Sequence, residues 1–126
     1  MSKKPIQTDN APAAIGPYSQ GVVTGQLLFT SGQLPIDPAT GKIPEGSIKD
    51  KAHLVFKNLA AIAEKAGTSL DNAVKTTVFL ADINDFAAVN QIYAQYFKEP
   101  FPARSAFQVA ALPLDADLEV EAVFQL

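Results

Sequence analysis

The chain has no cysteine, a single histidine, a single methionine and a single arginine among 126 residues. Without cysteine there is no disulfide framework, no thiolate nucleophile and no zinc–cysteine site. The one histidine, His53, follows Ala52 and precedes Leu54 near the start of a helical pattern, a setting typical of a surface or partly packed ring. A serine triad therefore lacks its base. No apolar run approaches the roughly twenty residues of a membrane span. Met1 to Thr8 carries positive charge with no apolar stretch behind it, so it is not read as a signal peptide. No GxGxxG or Walker sequence occurs, and Gly41-Lys42 has the wrong context for a phosphate cradle. Asp82, Asp85, Asp115 and Asp117 sit among turns and caps rather than at ligand spacing, which disfavours a metal site. A net charge of −3 with pI about 5.0 does not favour nucleic acid. These absences leave one soluble, cytoplasmic domain spanning residues 1–126, large enough to bury about two-thirds of its unfolded surface.

What is present is organised around the last quarter. Two prolines and the aromatic of Phe101-Pro102 lead into a strand from about Ala103 to Val109. A second strand, Leu118 to Gln125, alternates with Leu118, Val120, Ala122 and Phe124 on one face and Glu119, Glu121 and Gln125 on the other. Leu112-Pro113-Leu114-Asp115 reverses the chain between them. Arg104 is the only arginine against nine lysines, so a planar, permanently charged fork is wanted at that spot. Neighbouring elements carry Arg104 and the two glutamates, and a structural ion pair with Glu119 or Glu121 is the rival to a ligand clamp.

In chain order, Thr8 to Pro12 is turn-like and leads to Ile15-Gly16-Pro17-Tyr18, which displays Tyr18 from an irregular segment. Gly21-Val22-Val23 and Gln26 to Ser31 read as a hairpin around Thr24-Gly25. Leu27-Leu28-Phe29 is apolar throughout, as in a strand covered on both faces. Ser31-Gly32 ends it, the glycine allowing close approach. Asp37 to Lys42 is a turn. Ser47 with Asp50 opens a helix whose apolar positions are Ala52, Val55, Phe56, Leu59, Ile62, Ala63 and Ala66, and Gly67 stops it. Val74 to Leu80 is a strand. Asp82 then caps a second helix to about Phe97, striped by Phe86, Val89, Tyr93 and Phe97. Asn90 shares that stripe, either as a buried amide satisfied by nearby backbone or as a site group. The order of elements predicts an α+β sheet with both helices on one face.

Six blocks of sequence together resemble one family. They are Ala11-Pro12-Ala13-Ala14-Ile15-Gly16-Pro17-Tyr18-Ser19-Gln20-Gly21, Thr30-Ser31-Gly32-Gln33, Val74 to Leu80, Asn84-Asp85-Phe86, Phe101 to Ser105, and Glu119-Val120-Glu121-Ala122. In that order they resemble the reactive intermediate deaminases, the RidA or YjgF family. The resemblance implies a chorismate-mutase-like mixed sheet assembled as a homotrimer, with sites between subunits. It implies cofactor-free hydrolysis of reactive enamines and imines, such as 2-aminoacrylate, to 2-keto acids and ammonia. Carried over by motif, Arg104 clamps the substrate carboxylate and Glu119 positions the water. Tyr18, Ser31, Gly32 and Asn90 line the cleft, and backbone near Ala106 contacts the substrate nitrogen. Ala106 departs from the cysteine that many relatives carry there, which removes thiol-based redox switching. Two other functions stay open beside the deaminase: a non-catalytic regulator that binds small carboxylates, and an RNA-acting or holdase-like protein.

Overall fold

The structure, a computed structural model, describes residues 2–126. Its elements are β1 (Lys4–Ile6), β2 (Gly21–Thr24), β3 (Leu27–Thr30), α1 (Ile48–Lys65), β4 (Ala73–Leu80), α2 (Phe86–Tyr96), β5 (Ala103–Gln108) and β6 (Leu118–Gln125). All six strands form one sheet in the order β1-β2-β3-β6-β4-β5. β4 and β5 run parallel, and every other pair is antiparallel. The α+β mixed sheet read from the sequence is what forms. The strand β1 was not expected. Its Pro5 cannot donate to a ladder, but β1 is an edge strand, where proline is tolerated.

Burial sorts the last two strands. Along β6, Leu118, Val120, Ala122 and Phe124 are all buried, so that strand needs neighbours on both sides and lies between β3 and β4. Along β5 only Ala106 is even partly buried, and β5 takes the sheet edge. The sequence placed these strands as neighbours across the Leu112–Asp115 reversal. Instead β4 separates them, because β6 has the apolar face to fill the centre and β5 does not.

Helix α1 begins with the expected capping box: Ser47 Oγ accepts from Asp50 N, and Asp50 Oδ2 accepts from Ser47 N. Such a cap is worth about 1 kcal/mol. Gly67 follows the helix at φ +89°, a conformation that glycine adopts without a Cβ penalty. Val55, Phe56, Leu59 and Ile62 are fully buried against the sheet. Phe56 meets Tyr93 and Phe97 edge-on, each with centroids 5.7 Å apart, so α1 and α2 share one apolar layer over one face of the sheet. Neither α1 nor α2 covers the other face, which loops shelter only in part. Leu27, Phe29 and Phe107 are exposed there, which corrects the reading of Leu27-Leu28-Phe29 as covered on both sides. Only Leu28 points into the core. No described helix is long and apolar enough to cross a membrane.

Candidate active site

The expected site residues fall into two groups on opposite faces of the sheet. The first surrounds Arg104 on the helix side. In the β4–β5 register Arg104 pairs with Thr76, whose fully buried hydroxyl meets Tyr93 Oη at 2.8 Å. Arg104 therefore points toward α2. Its Nη1 donates to Asn90 Oδ1 at 2.7 Å, and its guanidinium lies 4.7 Å from the Tyr93 ring centre and 5.3 Å from that of Phe86. Aromatic faces attract a cation without neutralising it. Burial pushes the Tyr93 phenol up, offset in part by the Thr76 bond and the Arg104 charge, so the ring is a neutral bed for the guanidinium.

Among the described residues no acid pairs with Arg104. Among the described residues the ion pair is Lys51 with Asp117, 2.7 Å apart. Glu119 and Glu121 alternate with the buried positions of β6 and point away from the helices, so the rival ion pair does not form. Asn90 is not the buried amide that the helical stripe allowed either. It is exposed at the rim of α2, where its carbonyl oxygen holds the guanidinium. Two hollows flank Arg104. Phe101, Ala94 and Tyr93 line one, of about 400 Å³, and Ile83, Phe86 and Ala106 line the other, of about 430 Å³. As an edge strand, β5 has one row of backbone groups beside Ala106 that β4 does not use.

The second group surrounds Glu119. Between the Phe29–Val123 pair and the Gln33–Val120 bridge, Thr30, Ser31 and Gly32 face only Glu121 and Ala122 on β6. The extra residue bows that segment, and Thr30 Oγ1 rather than a backbone carbonyl accepts from Ala122 N. Glu119 leans into the bow. A Cβ on Gly32 would stand 2.7 Å from Glu119 Cδ and 2.8 Å from Oε2, so any larger residue would displace the carboxylate. Burial raises the pKa of Glu119 above the ordinary glutamate value, and the charge of Glu121 adds to the shift. Ser31 Oγ donates to Ser19 O at 2.6 Å and Ser31 N donates to Gln20 O at 2.9 Å, which ties down the segment bearing Tyr18. Tyr18, Ser31, Gly32 and Glu119 all line one hollow of about 550 Å³.

The sequence reading missed the groups that hold these side chains. Gln20 is buried and clamps the preceding loop. Its Oε1 accepts from Thr8 N, and its Nε2 donates to the carbonyls of Thr8, Ala11 and Pro12. The apolar stripe of the sequence gives Phe86 and Tyr93 a packing role, yet both also face Arg104. The spacing Phe86, Asn90, Tyr93 was the available signal, since it places all three on one side of a helix. His53 is a packed ring as expected, with its Nδ1 2.8 Å from Tyr96 Oη.

Arg104 and Glu119 cannot reach one small molecule within a single chain. They lie two strand spacings and three residues apart by register, roughly 14 Å between backbones, and their side chains leave opposite faces.

The family model described as Endoribonuclease L-PSP matches residues 8–125. The 2-iminobutanoate/2-iminopropanoate deaminase of Homo sapiens is 50% identical over 123 residues, covering 98% of this chain and 90% of that protein. The RutC family protein y4sK of Sinorhizobium fredii is 52% identical over 123 residues, with 98% of each chain covered. Among solved structures, Escherichia coli TdcF with bound serine matches with a TM-score of 0.92 at 46% identity, covering 98% of each chain. RidA from an Antarctic Psychrobacter matches with a TM-score of 0.93 at 47% identity, covering 98% of this chain and 99% of that one.

Proposed function

This chain belongs to the Endoribonuclease L-PSP family, the reactive intermediate deaminases that its sequence resembles, and from that premise we propose how it hydrolyses 2-imino acids to 2-keto acids and ammonia. The observation that carries the reading is the Arg104 guanidinium, exposed, bedded on two aromatic rings and free of any carboxylate. A planar donor fork matches the carboxylate next to the reacting carbon. Asn90 takes one N–H and fixes the plane of the fork. The remaining donors face the substrate.

The substrates are the imines that enamines such as 2-aminoacrylate become on tautomerisation. Once the imine nitrogen is protonated, C2 is electrophilic and needs no covalent nucleophile. Glu119 takes a proton from water as its oxygen bonds to C2. It then returns that proton to the nitrogen and, ionised again, takes the C2 hydroxyl proton as C=O forms and the C–N bond breaks; that proton passes to the departing ammonia, so the products are the keto acid and ammonium. A carboxyl with a raised pKa is suited to both halves of this exchange. Tyr18, Ser31 and Gly32 wall the Glu119 hollow, and backbone beside Ala106 receives the nitrogen. The side chain at position 106 has no role in this chemistry, so alanine serves where relatives carry cysteine.

Because the two halves leave opposite faces of one sheet, the working site is assembled from the Arg104 half of one copy and the Glu119 half of another. The exposed Leu27, Phe29 and Phe107 of the face without helices supply apolar area for such contacts. The family resemblance supports a homotrimer as that assembly, and the net charge of −3 speaks against an RNA-acting role. We place the protein in the cytoplasm, where pyridoxal-phosphate enzymes acting on serine or threonine release such intermediates. The test is a coupled assay in which a serine or threonine dehydratase generates the imine. Added protein should accelerate keto-acid formation. Binding of a keto acid without acceleration would instead favour a regulator.

A further inference from the structure

The Glu119 hollow is much larger than a three-carbon imino acid. At about 550 Å³ it falls in the range that accepts drug-sized ligands. Beyond Tyr18, Ser31 and Glu119, its walls are mostly apolar: Ile15, Leu34, Ile36, Pro113 and Leu114. Leu114 stands out among them. It belongs to the turn that the sequence offered only as a reversal between strands. Its backbone is at φ +58°, and Asp115 follows at φ +55°. Two consecutive non-glycine residues in the left-handed region are costly, and such strain persists where a side chain must be held in a set place. The turn is locked by Ala116 N donating to Pro113 O at 3.1 Å. Yet the Leu114 side chain is 62% exposed, so core packing does not account for its position. What it does face is the cavity that contains Glu119.

Resting on the deaminase reading, we propose that Leu114 is a specificity-determining residue, the wall against which the alkyl substituent of the 2-imino acid packs. The strained turn presents an apolar side chain to the part of the substrate that differs from one imine to the next. Substrates with branched aliphatic side chains bury that surface, whereas 2-iminopropanoate leaves it wet. Imines derived from leucine-sized amino acids are thus favoured over the smallest ones for each encounter. The group acts on binding in the transition state and takes no part in proton transfer.

The experiment compares kcat/KM for the six-carbon branched imine and for 2-iminopropanoate, each generated in situ by an amino-acid oxidase. It uses the wild type, Leu114→Ala and Leu114→Gly, with Tm recorded for all three. The wild type should prefer the branched imine. Both variants should lower that preference by about tenfold, with the small substrate little changed, because one packed alkyl group is worth about that much. Leu114→Gly should melt no lower than Leu114→Ala, since glycine takes the left-handed backbone freely. An active wild type whose preference is the same in all three proteins overturns this inference alone, as does a change seen only with glycine. A wild type inactive on every imine overturns the deaminase reading and this inference with it.

Discussion

Arg104 and Glu119 stand on opposite faces of the same sheet, with β4 between their strands. Two different defects should therefore complement each other. Arg104→Ala and Glu119→Gln, each inactive alone, should regain activity when unfolded together and refolded as a mixture. If each site takes one half from each of two copies, random assembly restores about a quarter of the sites. Activity no greater than the sum of the separate variants would show that one chain makes its own site.

Arg104→Lys tests the fork itself. A lysine keeps the charge but loses the planar donor pair, and with it the fixed orientation of C2. A loss of about a hundredfold in kcat/KM is expected, with Arg104→Ala worse still. Isothermal titration with a keto acid should show binding weakened in the first and undetectable in the second.

Glu119 sets a pH dependence whose sign follows from its raised pKa. In the proposed mechanism the carboxylate takes the proton of water, so kcat/KM should fall as pH drops through a value above the ordinary glutamate range. Stability runs the other way. Between the ordinary value and the raised one, the folded state binds more protons than the unfolded state, so stability falls as pH rises through that window. Glu119→Gln should abolish both effects. It should melt no lower than the wild type at neutral pH, while losing at least about a hundredfold in kcat. Paired pH profiles of rate and Tm check this.

Gly32→Ala is a small change with a large expected effect. The added methyl would sit 2.7 Å from Glu119 Cδ, so the carboxylate has to move. Displacing the proposed general base by about 1 Å should cost on the order of a hundredfold in rate. Substrate-analogue affinity should change less than kcat, because the Arg104 half is untouched.

Gln20→Ala should destabilise the fold by about 2–3 kcal/mol, since it strands Thr8 N and leaves several carbonyls with fewer partners. Urea unfolding gives the number. The same substitution releases the loop that leads to Tyr18, so KM should rise as well.

The sequence carried the elements well where one side chain period dominated. The capping box at Ser47 and Asp50, the stop at Gly67 and the alternation of β6 each specify structure within a few residues. What it did not carry was partnership between strands. Nothing local tells β6 to pair with β4 rather than β5; that choice emerges only when the whole apolar face of the sheet is filled. For the same reason Arg104 and the glutamates looked like neighbours. Asn90 was ambiguous because a helix stripe blurs at its rim, where a residue can face the core or a crossing strand. The strand β1 escaped notice because three residues containing a proline give no periodicity to read.

The aromatic setting of Arg104 has a practical side. A guanidinium held by ring faces and one amide, not by acids, keeps an unspent positive charge at the mouth of its hollow. On the proposed reading, any small organic acid in the solution competes for that charge, including the keto-acid product. Acetate or citrate in an assay buffer would mask part of the turnover, and rates should be measured in media that contain neither.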